Sequence, residues 1–282
     1  MSAPDLPAGE TRYFKLTVEY DGTGMSGWQR QDNARTVQGH LEDALAALLG
    51  HPVAVPGASR TDAGVHASGQ VAAFRTHRPI PAHGVRRGLN ATLPSQIAVV
   101  DVEPAPDDWH PRFSSTGKAY RYSLFNRPDR SPHWRGRSWH RIKPLDVDAM
   151  AEAAAHLIGE HDFAAFRSSD CTAKHTWRRI DAIELVRPAP WLLAIDVRGN
   201  AFLRQMVRIL TGTLVEVGMH RMSPSQIPGI LESLDRRNAG PTAPAYGLEL
   251  VSVEYGGTRP KPRRPEGHGT PPPAAPASSG DM

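Results

Sequence analysis

A glycine-rich loop at residues 57–65 carries the side chains best suited to catalysis in this sequence. Arg60 and Asp62 stand two positions apart in it, directly ahead of an apolar run that is typical of a strand. A carboxylate held by such a loop beside a guanidinium is a candidate nucleophile that stays ionised. A turn closed by a local Arg/Asp salt bridge has the same pattern, so the loop by itself is compatible with both interpretations.

Hydrophobic periodicity predicts the elements that must position this loop. Alternating apolar residues predict strands over 13–20 and 118–125, and Thr36 and Gly50 are expected to begin and end a helix. Further helices are predicted around 85–89, 147–158 and 202–217, and further strands over 71–74, 97–102, 179–186, 192–197 and 248–255. Strand-helix-strand order repeats in two halves joined near 104–117, without the regular spacing of a doubly wound parallel fold. We therefore predict an α+β fold.

The chain divides into four predicted regions. Residues 1–11 and 256–282 are rich in Pro, Gly, Ala and Ser, lack periodicity, and are predicted to be disordered tails. Residues 12–110 form a predicted N-terminal subdomain that holds the Asp62 loop, and residues 111–255 form a predicted C-terminal subdomain. Pro228 is expected to kink a helix that follows Ser223.

Composition restricts the classes of partner and cofactor. The net charge of +4 and the pI near 9.4 favour an anionic partner such as nucleic acid. Arginine greatly outnumbers lysine, which suits phosphate binding and base stacking, although an Ala-, Pro- and Arg-rich coding bias would give the same usage. The single cysteine, Cys171, excludes an intrachain disulfide and a Cys-rich metal site, and no histidine stands in a common metal-binding pattern. We predict no metal and no cofactor.

Two other classes of protein are disfavoured by the sequence. No apolar stretch approaches the roughly 18 residues that cross a bilayer, and the first residues lack the apolar core of a signal peptide, so we predict a cytoplasmic protein without a membrane partner. Gly22, Gly24 and Gly27 spell G-x-G-x-x-G after a strand, which indicates a dinucleotide site only when the glycines open a helix. Because the next helix begins near Thr36, a dehydrogenase is disfavoured.

The chain resembles the TruA-type tRNA pseudouridine synthases over roughly residues 13–255. The resemblance lies in motifs that follow the family's order at residues 20–22, 27–31, 36–39, 59–67, 118–122, 161–163, 202–208 and 241–248. It implies two similar ferredoxin-like subdomains with antiparallel sheets joined side by side, helices on one face, and a catalytic cleft between them. It also implies a homodimer that acts on uridines 38, 39 and/or 40 of the tRNA anticodon stem-loop.

The resemblance assigns catalytic roles to individual residues. Asp62 matches the family's catalytic aspartate, in a reaction that breaks the N1–C1′ bond of a uridine, turns the uracil and rejoins it through C5 without a cofactor. Attack on C6, attack on C1′ and charge stabilisation on a glycal route all remain open. Tyr120 matches the active-site tyrosine, whose ring can stack on the uracil and whose hydroxyl can pass a proton. Arg208 is expected to pair with Asp62, and Leu248 to line the pocket.

The residues themselves leave structural alternatives open. Tyr120, on a predicted strand, is also compatible with a core tyrosine. Arg208 follows Arg204 by four positions, so two solvated arginines on one helix face are an alternative, although the neighbouring positions are apolar. Ser59 stands where many family members carry glycine, and Arg204-Gln205 replaces a His- or Asn-containing pair. Neither departure is expected to touch the residues that the chemistry needs.

Arginines outside the catalytic set are predicted to bind RNA. Arg60 is expected to enter the space left by a flipped nucleotide or to bind backbone phosphate, because chemistry on a base inside a stem requires extrusion; a structural bridge to Asp62 is the alternative. Basic residues interleave with tryptophans and histidines over 127–141, a pattern that suits phosphates and unpaired bases. The predicted RNA contacts are Arg30, Arg75, Arg78, Arg135 and Arg137.

Three functions are compatible with these observations. The leading hypothesis is a tRNA pseudouridine synthase, an isomerase that acts on the anticodon stem-loop. The second is a tRNA-binding or chaperoning protein that keeps the fold but little catalysis, and the third is an unrelated carboxylate enzyme, such as a glycosidase acting on free nucleosides. Asp62, Tyr120 and Arg208 argue against the second, and the many arginines argue against the third.

Overall fold

The computed structural model describes residues 11–256, which form nine β-strands and five α-helices. The helices are α1 (Val37–Leu49), α2 (Ala82–Thr92), α3 (Val147–Ala155), α4 (Met206–Gly218) and α5 (Ile227–Ser233). The strands are β1 (Arg12–Tyr20), β2 (His66–Thr76), β3 (Ile97–Pro104), β4 (Ser115–Asn126), β5 (Trp139–Arg141), β6 (Gly159–Asp162), β7 (Trp177–Ala189), β8 (Leu192–Gly199) and β9 (Leu248–Tyr255). The predicted α+β class is confirmed.

All nine strands belong to one sheet with the order β3-β1-β2-β9-β4-β8-β7-β6, and β5 pairs with β4 beside this path. Neighbours are antiparallel except for two short parallel pairings, β2 with β9 and β4 with β5. The β2–β9 pairing, which we call the seam, joins His66 to Glu249 and Ala67 to Leu250. The seam connects an N-terminal half, β3-β1-β2, to a C-terminal half that begins with β9-β4, so the sheet is continuous.

Apolar and polar residues alternate along the strands, and the apolar ones form the buried face of the sheet. The buried residues include Phe14, Leu16, Val18 and Tyr20 in β1, and Tyr120, Tyr122 and Leu124 in β4. Successive strand side chains point to opposite faces, so these residues share one face of each strand. The intervening Glu19 and Arg121 are exposed.

Helix α1 begins and ends where its sequence predicts. The Thr36 side chain accepts a hydrogen bond from the amide of Gly39, and Gly50 ends the helix with a φ of 77°. Glycine adopts this left-handed conformation without the steric cost that other residues meet. The helix therefore has a defined start and end next to the segment that leads into the Asp62 loop.

Helix α4 starts later than its apolar pattern predicts. It begins at Met206 rather than at 202, because Gln205 adopts a left-handed backbone with a φ of 60°. Arg204 therefore precedes the helix, where it pairs with Asp170 at 2.7 Å. Arg204 and Arg208 do not share a helix face, and the alternative of two solvated arginines on one face is wrong.

Pro228 lies in the first turn of a helix. A short 3-10 turn, Pro224–Gln226, precedes α5, and Pro228 is the second residue of α5. Backbone amides in the first turn of a helix have no partner within the helix, so proline costs little there. The helix expected after Ser223 is therefore a 3-10 turn followed by α5, and the change between them falls one residue before Pro228.

The two predicted tails, 1–11 and 256–282, lie outside the described residues except for Thr11 and Gly256. Within residues 11–256, none of the helices combines the length and the apolar character that crossing a membrane requires.

Candidate active site

Asp62 lies near the end of the glycine-rich loop, just before β2, and Arg208 reaches it from α4. Arg208 Nη1 donates a hydrogen bond to Asp62 Oδ2 at 2.8 Å. The Arg208 and Asp62 side chains are 14% and 22% exposed, so the pair is largely shielded from solvent but still accessible to it. Charge-assisted hydrogen bonds are among the stronger ones in proteins, so this contact fixes the carboxylate. The pairing expected from the sequence is present, across 146 positions of the chain.

Hydrogen bonds with the backbone of Ala243 orient the guanidinium of Arg208. Arg208 Nε donates to the carbonyl of Ala243 at 2.8 Å, and the amide of Ala243 donates to the carbonyl of Arg208 at 3.0 Å. Gly212, one turn further along α4, allows this segment to approach, because a Cβ there would collide with the carbonyl oxygen of Pro241. One end of the guanidinium is thus anchored and the other points at Asp62.

Tyr120 brings a phenol to the same loop. It lies on β4, and its Oη is 2.6 Å from Ser59 Oγ, while Phe202 contacts its ring edge-on with 5.2 Å between centroids. Burial raises the pKa of Tyr120 to about 12; the hydrogen bond with Ser59 opposes this rise, and the nearby charge of Asp62 adds to it. The hydroxyl is therefore protonated throughout the neutral pH range.

Ser59 contradicts one expectation from the sequence. The departure from the family pattern at Ser59 was expected to leave the residues of the chemistry untouched, but its hydroxyl contacts the hydroxyl of Tyr120. Two elements far apart in the chain meet at this point. Neither residue's neighbours in the sequence indicate that contact.

Buried polar side chains form hydrogen bonds with the backbone of the Asp62 loop. Gln70 is fully buried; its Nε2 donates to the carbonyl of Ser59 at 2.7 Å, and its Oε1 accepts from the Ser59 amide at 3.2 Å. The ammonium of Lys118, on β4, donates to the carbonyl of Ala58 at 2.7 Å. Buried polar groups that are satisfied in this way hold a loop in a single conformation.

The segment 20–28, which contains the G-x-G-x-x-G pattern, packs against the other side of the loop. The amide of Trp28 donates to the carbonyl of Thr61 at 3.1 Å. A Cβ on Gly22 would collide with the carbonyl oxygen of Val65. Gly22 and Gly27 therefore allow this segment to approach the backbone of the loop, and none of the three glycines of the pattern opens a helix, which agrees with the argument against a dehydrogenase.

His66 is a buried residue of the site whose role no pattern in the sequence indicates. Its Nδ1 accepts a hydrogen bond from the amide of Gly22 at 3.1 Å. Its Nε2 lies 2.9 Å from the carbonyl oxygen of Gly136 and 3.1 Å from that of Tyr246. A proton on Nε2 satisfies the contacts with Gly22, Gly136 and Tyr246, and the carboxylate oxygen Oδ1 of Asp21 also lies 3.2 Å from Nδ1. The ring thus connects the Asp62 loop to the basic segment at 127–141 and to the motif at 241–248.

Arg60 is exposed, and its side chain forms no ion pair or hydrogen bond within the described residues. The alternative of a turn closed by an Arg60/Asp62 bridge is therefore wrong for this structure, because Arg208 is the cation on Asp62. Arg60 is two positions before Asp62, and its guanidinium is exposed to solvent.

The predicted RNA-contact residues lie in different parts of the fold. Arg135 is exposed, next to Gly136, and Arg137 pairs with Asp21 at 3.0 Å. Arg75 is eight residues along β2 from Ala67, about 26 Å at the rise of a strand. Arg30 pairs with Glu42 and Asp43, Arg75 pairs with Asp107 and lies over the ring of Tyr13, and the amide of Arg78 donates to Thr76.

Leu248 is the first residue of β9 and is buried, opposite Tyr122 in the β4–β9 register. In the same register Leu250 lies opposite Tyr120 and, across the seam, next to Ala67. Strand β9 therefore sets the spacing between the Asp62 loop and Tyr120. The site as a whole offers a carboxylate, a guanidinium fixed on it and a protonated phenol, together with exposed cations.

Comparison with known proteins agrees with this arrangement. Residues 16–114 and 153–256 match the family model described as tRNA pseudouridine synthase. A tRNA pseudouridine synthase A of Myxococcus xanthus is 50% identical over 242 residues, covering 86% of this chain and 91% of that protein. A tRNA pseudouridine synthase A of Geotalea uraniireducens (strain Rf4) is 48% identical over 244 residues, covering 86% of this chain and 100% of that protein.

A third relative, tRNA pseudouridine synthase A of Geobacter sp. (strain M21), is 49% identical over 245 residues, covering 86% of this chain and 99% of that protein. A solved chain of a Cbf5-Nop10-Gar1 complex is 12% identical with a TM-score of 0.32, covering 88% of this chain and 60% of that one, which is too distant to add to the argument. On the family match and on identity near one half across nearly whole relatives, this chain belongs to the tRNA pseudouridine synthase family.

Proposed function

We propose that this protein isomerises uridine to pseudouridine at positions 38, 39 and/or 40 of the tRNA anticodon stem-loop, with Asp62 as the catalytic carboxylate. The 2.8 Å hydrogen bond from Arg208 to Asp62 is the observation that carries this proposal. Tyr120 is held against the same loop by Ser59. The relatives named tRNA pseudouridine synthase A support tRNA as the substrate class.

The proposed reaction needs no external reactant. The N1–C1′ bond of uridine breaks, the uracil turns, and a C5–C1′ bond forms, while N1 gains a proton and C5 loses one to solvent. Asp62 acts as a nucleophile toward C6 or C1′, or stabilises cationic charge at C1′. Arg208 keeps the carboxylate oriented, and Tyr120 stacks on the turned uracil and handles the moving proton. Leu248 contributes an apolar wall to the pocket.

RNA is recognised around this site by exposed cations. In this proposal Arg60, which has no partner among the described residues, fills the space left by the flipped nucleotide or binds a phosphate. Arg135 and Arg137 bind the backbone beside the site, since His66 links their segment to the catalytic loop. Arg30, Arg75 and Arg78 remain proposed contacts for more distant parts of the tRNA.

We infer that residues 12–110 and 111–255 are two similar ferredoxin-like subdomains with the catalytic cleft between them and helices on one face. Apart from the short strands β5 and β6 and helix α5, the C-terminal half follows the order β4-α3-β7-β8-α4-β9, and its four long strands have the sheet order β9-β4-β8-β7, which supports this assignment. The N-terminal half follows the same plan with a bridge from Gly57 to Ala72 in place of one strand. A homodimer, to be tested by light scattering, and a cytoplasmic location complete the proposal.

The decisive experiment measures tritium release from tRNA labelled at C5 of uridine. The wild-type protein should release tritium with time, and Asp62→Asn should not, although it still binds tRNA. Transcripts that keep one uridine at position 38, 39 or 40 assign the modified positions. If the wild-type protein binds tRNA but releases no more tritium than Asp62→Asn, the enzyme is excluded and the tRNA-binding alternative stands.

A further inference from the structure

The hydroxyl groups of Ser59 and Tyr120 form one of the shortest side-chain contacts in the site. Their oxygens are 2.6 Å apart, at the short end of the range for O–H···O bonds. Ser59 is on the loop that carries Asp62, three positions before it, whereas Tyr120 is on β4. This bond is therefore a direct polar link between the loop and the phenol.

The backbone that carries the Ser59 hydroxyl is held by groups that do not belong to the catalytic set. Gln70, 0% exposed, binds both the amide and the carbonyl of Ser59. Lys118, two residues before Tyr120 on the same strand, binds the carbonyl of Ala58. Because alternate positions of a strand share a face, Lys118 and Tyr120 approach the loop from the same side. The serine therefore has little freedom to move away from the phenol.

The direction of this bond decides where the phenolic proton points. Each hydroxyl has one proton and can also accept. If Tyr120 donates to Ser59, its proton is occupied inside the protein. If Ser59 donates to Tyr120, the phenolic proton is free to point toward a bound base. Ser59 precedes Asp62 by three positions on the same loop, so a phenol that accepts from Ser59 keeps its own proton available beside the loop that carries the carboxylate.

We propose that Ser59 is a positioning residue that donates its hydroxyl to the Tyr120 oxygen and so directs the phenolic proton toward the reacting uracil. This inference rests on the proposed function, since the proton is used in the isomerisation. Ser59 itself does not contact the base; it acts through Tyr120.

A double-mutant cycle on turnover tests this role. Ser59→Ala should lower kcat for tRNA by about 5- to 30-fold, the loss expected for one hydrogen bond to a reacting group, and leave KM within about twofold. Ser59→Thr, which keeps the hydroxyl, should restore most of the rate. In a Tyr120→Phe background, Ser59→Ala should have no further effect. Equal losses from Ser59→Ala in both backgrounds, or a change confined to KM, would overturn the proposal.

A second measurement does not depend on turnover, so it separates this inference from the proposed function. Absorbance titration at 295 nm, with Tyr120→Phe as the reference, isolates the ionisation of Tyr120. Because the hydrogen bond from Ser59 opposes the rise in the pKa of Tyr120, Ser59→Ala should raise that pKa further, and Ser59→Thr should not. An unchanged titration in Ser59→Ala would disprove the contact even if the protein were inactive on tRNA.

Discussion

Arg208 donates in two directions, and catalysis is expected to depend on both. Its Nε is anchored on the carbonyl of Ala243 and its Nη1 holds Asp62, a geometry that the single ammonium of lysine does not reproduce. We expect Arg208→Lys to lower kcat by about 100-fold or more and to change tRNA affinity little, because the guanidinium faces Asp62. Single-turnover tritium release and filter binding measure the two effects. Arg204→Lys, on the exposed pair with Asp170, is the matched control and should keep its activity.

Arg60 is expected to bind the RNA and to contribute almost nothing to the stability of the fold. Its side chain is exposed and makes no polar contact within the described residues, so Arg60→Ala should change the free energy of unfolding by less than about 0.5 kcal/mol. Turnover on full tRNA should fall about tenfold or more, because the flipped state loses its stabilising cation. Arg187→Ala removes an exposed arginine from β7 and serves as the control. Unchanged turnover in Arg60→Ala would refute this role.

The charge of Asp62 should contribute to the pKa of Tyr120. Its negative charge adds to the rise in the pKa of Tyr120 that burial causes, so Asp62→Asn should lower this pKa. Burial is the largest cause and persists in the variant, so the pKa should remain above the ordinary value of 10. Absorbance at 295 nm across pH 9 to 13 follows the phenolate, with Tyr120→Phe as the reference. A pKa that does not move would mean that the two groups are farther apart than the structure has them.

The sequence predicts Asp62, Tyr120 and Arg208 as site residues because each lies in a motif that resembles one of the tRNA pseudouridine synthase family. The same motifs do not reveal what holds these residues in place. The contact of Ser59 with Tyr120 joins positions 61 apart, and His66 reaches the carbonyl of Tyr246 across 180 positions. Contacts of this kind depend on the three-dimensional packing of elements, and single-sequence patterns report only on local geometry.

At the scale of secondary structure, elements with strong alternation or defined caps are predicted well and irregular ones are not. β1 and α1 have both a clear period and clear ends. The start of α4 is set by Gln205 in a left-handed conformation, which favours glycine or asparagine and is therefore not expected of glutamine. The short strands β5 and β6 have three and four residues, too few for a period to show.

The close packing of α4 against residues 240–243 gives a prediction for an element. A Cβ on Gly212 would collide with the carbonyl oxygen of Pro241, so Gly212→Ala should displace the segment that anchors Arg208. We expect a loss of about 1–3 kcal/mol in the free energy of unfolding and a loss of activity beyond that of the remaining folded protein. Urea unfolding and tritium release measure these effects.

Gly229 in α5 is the matched control for this substitution. A Cβ there meets no atom within 4 Å, so Gly229→Ala should be neutral or stabilise the protein by up to about 1 kcal/mol, because alanine favours the helix. If Gly212→Ala unfolds at the same urea concentration as wild type and turns over normally, the packing of residues 240–243 does not position Arg208.

At the scale of the whole molecule, the site is assembled across the seam between β2 and β9. Asp62 belongs to the N-terminal half, whereas Tyr120 and Arg208 belong to the C-terminal half. Only two residue pairs form the ladder that joins the halves, His66 with Glu249 and Ala67 with Leu250. Small changes in this short joint should therefore alter the distance between the carboxylate and its partners more than they alter either half.

Gly69 offers a direct test of the seam. A Cβ there would collide with the carbonyl oxygen of Val251, so Gly69→Ala should move β2 away from β9 and carry the Asp62 loop away from Tyr120. We expect turnover to fall about tenfold or more while the free energy of unfolding falls by about 1–3 kcal/mol, so that most of the protein stays folded. Ser68→Ala, at the exposed neighbouring position, should leave both unchanged. Normal turnover in Gly69→Ala would mean that the halves are held in register by contacts other than the seam.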